Sequence, residues 1–209
     1  MPRVRSRATS FFSPMKFPRI HRHCAALFVA AILITSLRAA EFKLEPGFVS
    51  LFNGKDLTGW SYSAAEKFDG KAASTDGRFS AKGGVFFVHP KEPRLAQKIW
   101  TTREFPKDFV LKLEFRAAVN ADSGIFIRKP QLQCRDYLVA GPDKYKTLKK
   151  YRAQDWNEIE IVVKEGVARC TCNGEVLEEA LKVPATGPIG LEADRGLMEY
   201  RRIRIKETP

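Results

Sequence analysis

Phe109-Val110-Leu111-Lys112-Leu113-Glu114-Phe115-Arg116 decides the fold. Phe109, Leu111, Leu113 and Phe115 fall on one side, and Lys112, Glu114 and Arg116 on the other. A period of two is the mark of a strand with one buried face. Further along, Ile159, Ile161 and Val163 alternate with Glu158 and Glu160. Near the end, Ile203 and Ile205 alternate with Arg202, Arg204 and Lys206. Turn formers separate these runs: Asn53-Gly54, Gly83-Gly84, Pro106-Lys107-Asp108, Glu165-Gly166 and Asn173-Gly174. Such pairs supply the backbone conformations of tight hairpins.

Extended through the chain, the pattern predicts about eleven strands: 48–52, 78–80, 84–88, 97–103, 109–118, 124–129, 132–138, 156–164, 167–172, 176–181 and 188–206 in two pieces. Helical periodicity is almost absent, and residues 61–77 read as a surface loop. The class is all-β: one domain, a sandwich of two antiparallel sheets. No internal repeat or linker breaks it.

The 209 residues carry a formal net charge of +12, which by itself would favour a polyanion or membrane-surface partner. Residues 1–40 hold seven of the 36 basic residues and no acidic one. They run into the apolar stretch Cys24–Leu37 and end on Ala39-Ala40. A basic start, a short apolar core and small closing residues describe a secretory leader. The apolar run is brief for a membrane span, which needs about 20 residues. The leader predicts export, to the periplasm or outside the cell, with membrane attachment only if it is not cleaved. Met15 offers an alternative start. Without the leader, 29 basic residues face 24 acidic ones, a balance of +5, typical of a mixed surface. Nucleic acid is not an expected partner. Three cysteines remain, Cys134, Cys170 and Cys172; a disulfide to Cys134 and burial as small apolar residues are both open.

No GxSxG, Walker A or HExxH motif is present. His89 is the only histidine after the leader, so a histidine triad or multi-histidine metal site is not expected. Two strands carry more. Gln131, Gln133, Arg135 and Tyr137 share a face at period two, and their side chains combine forked hydrogen bonds with flat apolar surfaces that suit sugar hydroxyls. Glu192 and Asp194 share a face about 7 Å apart by strand geometry. Such a pair serves acid–base work or binds a hard cation such as calcium.

The stretch from Phe48 through Asn53-Gly54-Lys55-Asp56-Leu57-Thr58-Gly59-Trp60 resembles the opening of the 3-keto-disaccharide hydrolase domain family. The resemblance continues through Asp108–Phe115, Asp122-Ser-Gly-Ile-Phe-Ile-Arg128, Asp155–Glu158, Asn173–Glu175, Gly187-Pro-Ile-Gly-Leu-Glu192 and Tyr200–Ile205. It implies a concanavalin A-like lectin/glucanase jelly roll and a saccharide substrate oxidised to a ketone at C3. The ketone acidifies C2–H, so a carboxylate can remove that proton and the C1 oxygen can leave. Carried over by position are Arg128 and Glu192; joined to the strand-face readings, they make the expected catalytic residues Glu192 or Asp194 as base, with Arg128 and Arg135 holding the enolate oxygen. Gln131, Gln133 and Tyr137 are the expected substrate contacts. The family's Tyr-Glu-x-Gln pattern is replaced here by Gln131-Leu132-Gln133-Cys134-Arg135-Asp136. The missing carboxylate leaves a non-catalytic carbohydrate-binding module as the alternative, with Asp136 as the candidate to replace the lost carboxylate.

Overall fold

A computed structural model describes residues 42–139 and 141–208. The leader predicted over 1–40 lies outside the described residues. All named strand pairs are antiparallel. One sheet has eight strands. Its main path runs β12 (Glu175–Lys182), β11 (Val167–Cys172), β10 (Asn157–Lys164), β7 (Phe109–Ala117), β14 (Met198–Glu207), β5 (Val85–Val88) and β4 (Phe79–Lys82), with β1 (Val49–Ser50) also on β14. The other has six: β3 (Glu66–Lys67), β2 (Trp60–Ser63), β6 (Gln97–Thr101), β13 (Ile189–Ala193), β8 (Asp122–Ile127) and β9 (Gln131–Arg135). The two sheets enclose one apolar core as a jelly-roll sandwich.

The opening octapeptide lies at the centre of the larger sheet. Leu113 is paired with Ile159 and Leu111 with Ile161, while on the other side Leu111 meets Ile205 and Phe115 meets Tyr200. All of these side chains are fully buried. Tyr200 and Ile205 are an odd number of residues apart, so strict alternation would send one of them outward. A bulge between Arg201 and Arg204, with Arg202 at φ 54°, absorbs the extra residue; such a bulge resets the facing of a strand.

The outer face of this sheet is a ladder of ion pairs. Arg116 meets Glu199 at 2.6 Å, Glu114 meets both Arg201 at 2.6 Å and Arg202 at 2.7 Å, and Arg204 meets Glu45 at 2.7 Å and Glu158 at 3.0 Å. Trp156 lies beneath two of these cations, 3.9 Å from Arg201 and 4.8 Å from Arg116. The basic cluster at the end of the sequence is thus matched by carboxylates where the sheet brings strands together.

Two expectations need correction. Residues 61–77 are not a loose loop. They contribute part of β2 and all of β3, bury Phe68 and Ser74, and close on Asp76, which accepts from Tyr62 at 2.5 Å, Ser74 at 2.8 Å and the Arg78 amide at 3.0 Å. A short helix, α1 (Asp143–Lys146), also stands where none was foreseen. Cys134, Cys170 and Cys172 are free and buried; burial raises each thiol pKa, as desolvation disfavours the thiolate.

Candidate active site

The six-stranded sheet turns one face to the core and displays chemistry on the other. Pairing brings Gly190 beside Trp100 and Glu192 beside Lys98. On the next strands Gly190 meets Phe126, Phe126 meets Gln131, and Gly124 meets Gln133. The outward residues of four strands, β6, β13, β8 and β9, therefore form one patch: Lys98, Trp100, Glu192, Phe126, Gln131 and Gln133.

Two glycines make room on it. A Cβ at Gly190 would stand 2.6 Å from the Trp100 ring, and one at Gly124 would overlap the Gln131 amide. Without these side chains, Trp100 lies across the sheet and meets Phe126 edge-on at 5.4 Å. The Gln131 side chain crosses Gly124 and donates its Nε2 to Glu192 Oε2 at 2.5 Å. On the other side, Lys98 Nζ is 3.6 Å from Glu192 Oε1 and 5.0 Å from the centre of the Phe126 ring.

Glu192 is only 8% exposed. Burial raises its pKa against the opposing pull of Lys98 and Gln131. That places a carboxylate of strengthened basicity next to a cation and an aromatic surface, the arrangement of a general base beside an oxyanion site.

A relay runs from this carboxylate along β9. Gln133 Nε2 donates to Gln131 Oε1 at 3.1 Å, and Arg135 Nη2 donates to Gln133 Oε1. Arg135 is held in turn by Asp122 at 2.9 Å. Arg135 has no acceptor to offer, so it fixes the Gln133 oxygen toward itself. The Gln133 amide then faces Gln131, whose own amide faces Glu192. Every link donates toward the carboxylate.

The structure thus joins Glu192, Gln131, Gln133 and Arg135, and removes the other expected residues from the reacting centre. Arg128 sits just past β8 at φ 62°. Its Nη1 and Nη2 donate to Pro184 O at 2.7 Å and Lys107 O at 2.6 Å, and its guanidinium lies 5.2 Å from the Phe109 ring. It ties loops together and does not face Glu192. Tyr137 follows the end of β9, where alternation stops; it is fully buried and donates to Gln133 O at 2.8 Å. Asp194 shares the Glu192 face but is claimed by Arg94, whose hydrogen bond lowers its pKa. Asp136 is buried and accepts from the Asn120 amide at 3.0 Å, so it does not replace the missing carboxylate. His89 is hydrogen-bonded to Ser80 at 2.8 Å, beside the other sheet.

Lys98, Trp100 and Phe126 escaped the sequence reading. The available signal was Trp100, a large aromatic at an outward position of an otherwise alternating strand. Among the described residues no group of three or more His, Cys, Asp or Glu is placed to hold a metal ion. The nearest carboxylates are committed to Lys98, Arg94 and Arg135, so the donor set does not fit a calcium site.

The comparisons agree with this architecture. A crystal structure from Parabacteroides distasonis, provisionally named a glycosyl hydrolase, superimposes with a TM-score of 0.61 at 17% identity, covering 78% of this chain and 95% of that one. A second from the same organism, with the same provisional name, gives 0.54 at 19% identity over 77% and 99%. At such identities the likeness carries the fold. No curated protein matches the chain. The sequence profile of the 3-keto-alpha-glucoside-1,2-lyase-like domain matches residues 47–206. The chain belongs to that family of carbohydrate-active domains.

Proposed function

We propose that the protein cleaves 3-keto-glycosides by elimination, with Glu192 as the base. The observation that carries this reading is the buried Glu192 carboxylate, held between the Lys98 ammonium and the Gln131 amide beside the Trp100–Phe126 surface. The ketone-bearing ring would lie on the aromatic pair with its C2–H toward Glu192. Glu192 takes that proton. The C–H electrons form a C2–C3 double bond and leave negative charge on the C3 oxygen, which the Lys98 ammonium stabilises. The C3 carbonyl then re-forms, a C1–C2 double bond appears, and the C1–O bond breaks. The departing oxygen receives the proton held by Glu192. The products are an unsaturated ketosugar and the free second sugar; water adding across C1–C2 completes a net hydrolysis. Lys98 thus fills the role expected of Arg128 and Arg135. The basic, apolar sequence of residues 1–40 supports placing this activity outside the cytoplasm.

Incubating the protein with a 3-keto-α-glucoside disaccharide tests the reading. Nuclear magnetic resonance should show the unsaturated ketosugar or its hydrate together with the released sugar. Saturable binding without product would leave a binding module instead.

Arg135 is on this reading a positioning residue. Activity should rise with pH through a midpoint above 4.5, because Glu192 must be ionised and burial raises its pKa. Arg135→Met frees the two glutamine amides to rotate and removes aligned donation to the carboxylate. The midpoint should then move to higher pH, with Arg135→Lys restoring part of the shift. A pH–rate profile that does not move in Arg135→Met would show that the relay sets nothing.

A further inference from the structure

Next to Trp100 the outer face of the six-stranded sheet opens into a cleft of about 510 Å³, within the roughly 300–1,000 Å³ usual for ligand pockets. One wall is the β2–β3 hairpin, with Ser61, Ser63 and Lys67; the other includes Arg128 and Lys129 from the β8–β9 turn. Trp100 lines it and also covers Gly190, two residues before Glu192 on β13. Trp100 is thus shared between the cleft and the patch that carries Glu192.

Its charge is one-sided. Lys67, Arg128 and Lys129 line it against a single carboxylate, Glu104, which accepts from Thr186 at 2.9 Å. Among the described residues none of these three cations forms an ion pair. Arg128 is 6% exposed, its two terminal nitrogens end on backbone carbonyls, and its Nε has no partner. The outer face of the larger sheet behaves differently: there Arg116, Arg201, Arg202 and Arg204 all meet carboxylates. The Arg128 side chain is spent on its backbone carbonyls, so the two exposed cations, Lys67 and Lys129, give the cleft its free positive charge, which suits an anion. The indole and the serine hydroxyls suit a sugar ring.

We infer that this cleft is a subsite for an anionic saccharide residue, the sugar that leaves when the neighbouring ring is cleaved. The inference rests on the elimination reading for which ring reacts, and adds the class of the second ring. Trp100 stacks on the ring, and Lys67 and Lys129 meet its carboxylate or sulfate.

Binding of unoxidised disaccharides tests the subsite without turnover. Titration calorimetry at low salt would compare three ligands whose reducing-end residue is glucose, glucuronate or glucose 6-sulfate. At least one anionic ligand should bind roughly fivefold or more tightly than the glucose ligand, a preference that weakens with added salt. The Lys67→Met/Lys129→Met double variant, altered only at exposed positions, should bring the ligands within about twofold of each other. Equal affinities in the unaltered protein, or a preference that survives the double substitution, would overturn the inference. Cleavage of an uncharged 3-keto-disaccharide is read separately. Turnover without charge preference removes only the subsite; charge preference without turnover removes only the elimination reading.

Discussion

Glu192→Gln is expected to lower kcat on a 3-keto-α-glucoside by roughly 10²–10⁴-fold, the range of a lost general base. The amide keeps the size of the side chain and can still accept from Gln131, but it takes up no proton. The fold should not suffer. Burial raises the Glu192 pKa in the folded chain, so the ionised group opposes folding at neutral pH, and stability contributed by this site grows as pH falls. Removing the charge should therefore leave the urea midpoint unchanged or slightly higher. Urea unfolding followed by far-ultraviolet circular dichroism checks that half of the expectation. Wild-type turnover in the variant would remove Glu192 from the chemistry.

The largest stability effect is expected at Trp60. Its side chain is fully buried, meets Phe86 edge-on at 5.1 Å and donates its indole N–H to Leu51 O at 2.8 Å. It closes the Asn53–Trp60 stretch, in which Asn53 Oδ1 accepts from the Lys55 amide at 2.8 Å and the Asp56 amide at 3.0 Å. Asp56 in turn accepts from the Thr58 amide at 2.9 Å. The stretch is thus a self-bonded turn that delivers an aromatic plug to the core. Trp60→Ala should cost about 3–5 kcal/mol, a large part of the roughly 5–15 kcal/mol that holds a domain folded. Trp60→Phe keeps ring packing and loses mainly the hydrogen bond, so about 1 kcal/mol is expected. Urea unfolding measures both. Equal midpoints for the Ala variant and the unaltered protein would show that this motif does not anchor the core.

The parts of the fold that were legible share a physical cause. In β7 and β10 one face is buried and the other mostly charged, so composition alternates residue by residue, and β14 alternates on either side of its bulge. β2 and β3 carry no such record. Their segment is held by Tyr62 and Phe68 meeting edge-on at 4.8 Å and by hydrogen bonds to Asp76, contacts that leave no period. α1, at four residues, is too short to show a helical one.

The site divides in the same way. Gln131, Gln133 and Arg135 were found because one strand places them on one face. Glu192 was found because it shares a strand face with Asp194 and matches a family motif position. Lys98 required knowing that β6 lies beside β13, a long-range pairing that neither strand announces. Tyr137 was misplaced by extending alternation past the end of β9, and Arg128 by carrying over a motif position just past β8. The positive φ at Arg128 and the chain's turn after Arg135 redirect both side chains inward.

The central claim is that Glu192 removes the C2 proton of a 3-keto-glycoside, and cleavage in deuterated water tests it most directly. Elimination followed by addition of solvent places deuterium at C2 of the ketosugar product, above the level reached without enzyme, and Glu192→Gln loses product and label together. A product that retains its original C2 hydrogen would mean direct displacement at C1, and would contradict the account.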